Sequence, residues 1–215
     1  MIILPAFSKK PAPDAVFFFA GGPGQGAASI ASYIGEELLA KVRQERDIVF
    51  VDQRGTGESN PLNCNLYNDD SDLQGYFEEM FPAKAVRACR ERLEKIADLT
   101  QYTTSIAIED LDDIRRALGY EKINLYGGSY GTTVSLAYLR RYGAHVRSAI
   151  LAGVAPLDFK LPLPFAKGAQ HSIDRLIRDC EDDNACRQAF PKLREEFQAV
   201  LDRLMKEPVS VELVN

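Results

Sequence analysis

Four short stretches of the chain concentrate apolar residues without alternation: "AVFFFA" (15–20), "DIVFVD" (47–52), "KINLYG" (122–127) and "SAILAGV" (148–154). Runs of this kind predict strands buried on both faces, as in a parallel sheet. Between them the spacing becomes helical. Residues 29–45 carry Ile34, Leu38 and Val42, and residues 103–118 carry Ala107, Leu111, Ile114 and Leu118 with Gly119 as a stop. Residues 130–142 continue the pattern with Val134, Ala137 and Tyr138. Strand and helix in alternation predict right-handed crossovers and a doubly wound, mostly parallel α/β sheet.

The pattern changes after Pro156. "APLDFKLPLPFAKG" (155–168), with Pro156, Pro162 and Pro164, reads as a boundary or hinge. Helices are expected over 168–179 and 191–206, the second with Pro191 in its first turn and with Leu193, Phe197, Val200, Leu201 and Leu204 in one stripe. "PVSVELVN" (208–215) alternates like a strand. The expected organisation is an α/β core over 1–160 and a helical segment over 161–215.

Composition narrows the function classes. The net charge is −5 and no basic tract is present, so nucleic acid and anionic membrane lack electrostatic support as partners. No apolar run approaches the roughly 18 residues a membrane span needs. The opening "MIILPAFSKKPAP" has neither the charged region nor the apolar stretch of a signal peptide. Cys64, Cys89, Cys180 and Cys186 lack zinc-site spacing and are either two disulfides or four buried thiols.

Chemistry concentrates in three glycine-containing stretches. "NLYGGSYGTTVSL" (124–136) places Ser129 in a G-x-S-x-G pattern between a predicted strand and a predicted helix. A corner that sharp strains the serine backbone, and glycine at 127 and 131 relieves collisions. The corner lifts the serine oxygen clear of the sheet and sets the Tyr130 N–H at a helix N-terminus, where it can face developing negative charge. "AGGPGQGAAS" (20–29) can supply a second oxyanion N–H, with Gly22 the candidate and Gly24 behind it, since Pro23 has none. The same loop also fits G-x-G-x-x-A, followed by a helix and a strand ending in Asp52. That is the pattern of a dinucleotide-binding oxidoreductase, although the proline inside the turn and the Ser129 corner speak against it. In "VDQRGTGESNP" (51–61), Asp52 and Arg54 are expected to brace a tight turn by charge-assisted hydrogen bonds.

Together "GGPG" (21–24), "VDQRGTGES" (51–59) and "GGSYGT" (127–132) resemble the α/β-hydrolase fold. More narrowly they resemble the proline iminopeptidase and tripeptidyl aminopeptidase family of exported serine peptidases. "SAILAGVAP", "PLNC" and "DCEDDNACRQAFP" extend the resemblance over nearly the whole chain. It implies Ser129 as nucleophile, Tyr130 and Gly22 as oxyanion donors, and a helical lid beginning near residue 160. It also implies disulfides Cys64–Cys89 and Cys180–Cys186, and a secreted or periplasmic parent protein. Ala20 stands where many iminopeptidases have histidine.

A serine needs a base, and the base an orienting acid. The chain has two histidines. His145 precedes a strand, at the end opposite the serine. His171 opens a helix of the lid-like part and is a weak base candidate, as Asp158 is for the acid. The expectation is therefore a fragment holding nucleophile and oxyanion hole without the relay. Its open sheet edge would be covered by a second chain or a swapped copy of itself. The expected activity is hydrolysis of peptides from the N-terminus. A carboxylesterase and a catalytically incomplete binding module are the alternatives. Neither metal nor organic cofactor is implied.

Overall fold

A computed structural model describes residues 1–64, 66, 79, 81–160, 162–207 and 209–210. The chain forms two compact units, Met1–Asp158 and Phe159–Asn215.

The first unit is a mixed sheet of β1 (Ile2–Leu4), β2 (Val16–Phe19), β3 (Ile48–Phe50), β4 (Ile123–Gly128) and β5 (Val146–Ala152), in the order β1-β3-β2-β4-β5. β1 runs antiparallel to β3, and the other neighbours are parallel. The unalternating apolar runs have a direct cause. Successive side chains of a strand point to opposite faces, and here both faces are packed. Phe17, Phe19, Val49, Ile123 and Leu125 bury on one face with Ile108, Leu111, Val134 and Tyr138, from α4 (Thr104–Ala117) and α5 (Tyr130–Tyr142). Val16, Phe18, Ile48 and Phe50 bury on the other, against the helical segment that contains Ala31, Ile34 and Leu39.

That segment corrects the expectation of one regular helix over 29–45. It passes through a 3-10 turn (Ala28–Ile30), α1 (Ala31–Tyr33), a π turn (Ile34–Leu38) and α2 (Ala40–Arg43). The Leu39 N–H bonds to the Ile34 carbonyl at 2.8 Å, five residues back. The extra residue rotates the inward position by one. Leu39 is 4% exposed, whereas Leu38, expected in the core, is 53% exposed.

β5 is the second correction. It begins two residues earlier than read, and most of it is exposed, with Ile150 at 54%. It pairs with β4 on one side, and no other described strand pairs with it. Its apolar run therefore does not mark a strand covered on both faces. α3 (Ala83–Leu93), for which the sequence reading has no expectation, carries Cys89, joined to Cys64.

The second unit contains α6 (Leu163–Asp182), α7 (Asn184–Ala189) and α8 (Leu193–Lys206). α6 starts inside the proline stretch expected to be a hinge, because Pro164 lies in its first turn, where the missing N–H has no intrahelical partner to lose. Asp183 ends α6 and caps α7, its carboxylate accepting from the Cys186 N–H at 2.8 Å, and Cys180–Cys186 closes the corner. α8 begins at Leu193, so Pro191 stands before it and not in its first turn. Phe197, Val200, Leu201 and Leu204 of its apolar stripe are exposed. The strand expected over 208–215 lies outside the described residues apart from 209–210.

Two buried carboxylates link elements distant in sequence: Asp112 joins α4 to α5, and Asp14 joins the starts of the strands. Asp112 accepts from Arg115 Nε and Tyr138 Oη, each at 2.7 Å, and Arg115 also reaches the Tyr120 carbonyl. Asp14 accepts from Asn124 Nδ2 at 2.8 Å and pairs with Arg46 and Arg147. Burial alone would raise both carboxyls, but the hydrogen bonds from Arg115 and Tyr138, and from Asn124 and Arg46, outweigh it and hold both below the usual value. Groups lowered in the folded state contribute stability that is complete above the unfolded value, about pH 4, and is lost as pH falls through the folded value. Urea midpoints should therefore drop below about pH 4. Asp112→Asn should destabilise by about 3 kcal/mol at pH 7 and flatten that decline. An unchanged midpoint in the variant would contradict this role.

Candidate active site

β4 ends at Gly128, and α5 starts at Tyr130. Ser129 between them has φ 52° and ψ −120°, left-handed backbone that costs a non-glycine residue about 1–3 kcal/mol. The corner is held from outside. The Ser129 N–H donates to the Ala152 carbonyl at 2.9 Å, and its carbonyl accepts from the Thr132 N–H at 2.9 Å.

The flanking glycines are required by close approach. A Cβ on Gly127 would overlap the Gly131 carbonyl and stand 2.6 Å from Ser135 Oγ. A Cβ on Gly131 would overlap the Phe19 carbonyl, so the collision it avoids is with β2 and not with the serine itself. Ser129 is exposed, and its Oγ makes no hydrogen bond to another described residue. The N–H groups of Tyr130 and Gly131 open α5, where a helix has no internal acceptor and carries partial positive charge. The Tyr130 hydroxyl is fixed against Thr104 Oγ1 at 2.7 Å. No sequence pattern flags Thr104, because the contact spans two helices.

The 20–29 loop packs against this corner. A Cβ on Gly21 would stand 3.3 Å from Ser129 Cβ. Gly22 and Gly24 have φ of 104° and 114°, with a cis peptide between Gly22 and Pro23. Asp52, 4% exposed, clips this loop to the next one, accepting from the Ala28 N–H at 2.8 Å and the Glu58 N–H at 3.1 Å. Gly57 leaves room for that carboxylate.

Asp52 thus braces the turn as expected, but Arg54 does not. Arg54 bridges instead to both oxygens of Asp110, at 2.6 and 2.5 Å, and to the Gln101 carbonyl at 2.9 Å. The hydrogen bonds to Asp110 raise the guanidinium further above its usual value. The dinucleotide reading loses its ribose acid, since the Asp52 carboxylate is buried and already takes two amides.

A cleft of about 240 Å³ opens beside the start of α5, lined among others by Pro23, Gly24, Gln25, Arg54, Thr104 and Tyr130. His145 follows α5 and precedes β5, its Nδ1 3.2 Å from the Glu121 carbonyl, at the opposite end of the parallel strands from Ser129. Asp158 is exposed at the end of the first unit, and His171 is exposed on α6 of the second. Among the described residues no group of three or more His, Cys, Asp or Glu could hold a metal ion.

The alpha/beta hydrolase fold family matches residues 14–204, and the chain belongs to it. Among curated relatives, YuaR of Escherichia coli strain K12 is 30% identical over 194 residues, 86% of this chain and 38% of that protein. The serine protease Hip1 of Mycobacterium tuberculosis strain H37Rv is 29% identical over 77% of this chain and 35% of its own length. A proline iminopeptidase of Neisseria gonorrhoeae is 28% identical over 66% of this chain and 34% of its own. The chain therefore spans little more than a third of the length of the relatives it matches, and it is related at low identity to peptidase members of the superfamily.

The steric account makes a contrast testable. Gly131→Ala should lower stability by about 3 kcal/mol, because backbone stands where the methyl would go. Gly128→Ala, which meets nothing within 4 Å, should stay within about 0.5 kcal/mol. Equal urea midpoints for the two variants would refute it.

Proposed function

We propose that the chain carries the nucleophile and oxyanion site of a serine hydrolase that removes residues from the N-terminus of peptides. The observation behind this is Ser129, exposed and strained at the carboxyl end of β4, with a helix N-terminus directly after it. The peptidase names of Hip1 and of the Neisseria iminopeptidase support the substrate class.

In this reading Ser129 Oγ attacks the scissile carbonyl carbon, and its proton passes to a general base. The carbonyl oxygen becomes an oxyanion held by the N–H groups of Tyr130 and Gly22. The C–N bond then breaks as the base returns the proton to the leaving amine. Water repeats the sequence on the acyl-enzyme and frees the acid and Ser129. The strain at Ser129 fixes the oxygen in place before substrate arrives. The cleft beside Tyr130 is where a residue flanking the scissile bond would lie.

The base is not His145, which stands at the far end of the strands. His171 has the chemistry, but no described carboxylate is hydrogen-bonded to it, and a relay base needs one.

A fluorophosphonate probe tests the nucleophile. On the full-length protein it should label Ser129, and Ser129→Ala should abolish labelling while changing stability by no more than about 1 kcal/mol. Labelling should survive His171→Ala. Absent labelling, or labelling elsewhere, would sink the assignment. Aminoacyl-coumarin amides tested beside short-chain esters on the full-length protein separate peptidase from carboxylesterase.

A further inference from the structure

Thr132 lies in the first turn of α5 and is fully buried. Its hydroxyl is used twice. Oγ1 donates to the Ser129 carbonyl at 2.6 Å and accepts from the Ala155 N–H at 2.8 Å. The next residue repeats the link from the other side, with Thr133 Oγ1 donating to the Ala155 carbonyl at 2.7 Å. Ala155 belongs to the segment that leaves β5 for the second unit. Gly153, at φ 68°, turns this segment back toward α5. The strained corner is thus bonded to the same stretch twice, at Ala152 through its own N–H and at Ala155 through Thr132.

A hydroxyl in a packed core is replaceable by a methyl of the same shape unless its polar contacts matter. Here both partners are backbone groups at places the chain could otherwise relax: a non-glycine residue with positive φ, and an irregular segment after a strand. We infer that Thr132 is a positioning residue. It clamps the Ser129 corner to the 153–158 connector, so that the conformation of the connector sets the reactivity of the serine. This rests on the nucleophile reading above and extends it. Displacing the connector withdraws the Ala155 N–H, and the Thr132 hydroxyl then holds the corner from one side only. The substitution that tests the clamp is Thr132→Val, which keeps shape and burial and removes the hydroxyl.

Two measurements on the full-length protein decide it. Amide hydrogen exchange by NMR reads the clamp directly: in Thr132→Val the Ala155 N–H should exchange about tenfold faster, the loss of one hydrogen bond. The rate of fluorophosphonate labelling at Ser129 reads its consequence and should fall by a similar factor, with probe affinity changing little. Thr132→Ser, which retains the hydroxyl, should recover most of both. If Thr132→Val does not fold, Thr133→Val weakens the same link from the connector side and should speed Ala155 exchange and slow labelling in the same direction. Wild-type exchange at Ala155 in the folded variants would overturn the clamp. Faster exchange with wild-type labelling would overturn its bearing on the serine. A wild-type chain that is never labelled would remove the nucleophile reading, while the exchange data would still decide whether the clamp exists.

Discussion

The candidate site depends on the close approach of α5 to the end of β2. At Gly131 the helix runs against the Phe19 carbonyl, and at Gly127 the strand runs against the Gly131 carbonyl. With only hydrogen atoms filling those positions, the chain must turn from strand to helix within one residue. Ser129 is that residue and takes the left-handed conformation. Its exposure follows from the turn, and so does the position of the Tyr130 N–H at a helix terminus.

Strain of this kind persists only where the surroundings over-determine it. Around Ser129 they do. Ala152 and Thr132 fix its backbone, Gly21 lies against its side chain, and the Thr104–Tyr130 pair anchors the first residue of α5. The loops over the corner are fixed in turn by buried charge, with Asp52 binding two amides from different loops and Arg54 holding Asp110 of α4. Asp52 is buried, whereas Arg54 also lines the cleft beside Tyr130. Both keep irregular backbone in register with a rigid sheet.

Much of this was legible beforehand, and the failures share a cause. The apolar runs identified β2, β3 and β4, because strands packed on both faces have no polar phase. G-x-S-x-G between strand and helix identified the corner. The reading failed where local spacing and tertiary packing diverge. Leu38 was expected inside and Leu39 is, since a π turn adds a residue that periodicity does not reveal. β5 reads like a central strand and lies at the edge of the described sheet. Local spacing pairs Arg54 with its own loop, whereas in the fold it pairs with Asp110 across 56 residues.

The sequence by itself determined the class of fold, through its hydrophobic periodicity, and the positions that must be glycine with the serine they surround, through steric rules within a few residues. Cysteine spacing alone leaves thiols and disulfides open; the family resemblance implies the pairings Cys64–Cys89 and Cys180–Cys186, and the structure forms both. Tertiary structure alone decided which groups Asp52, Arg54 and Thr132 bind. A carboxylate, guanidinium or hydroxyl carries no mark of its partner until the chain has folded and desolvation makes an unpaired polar group too costly to leave.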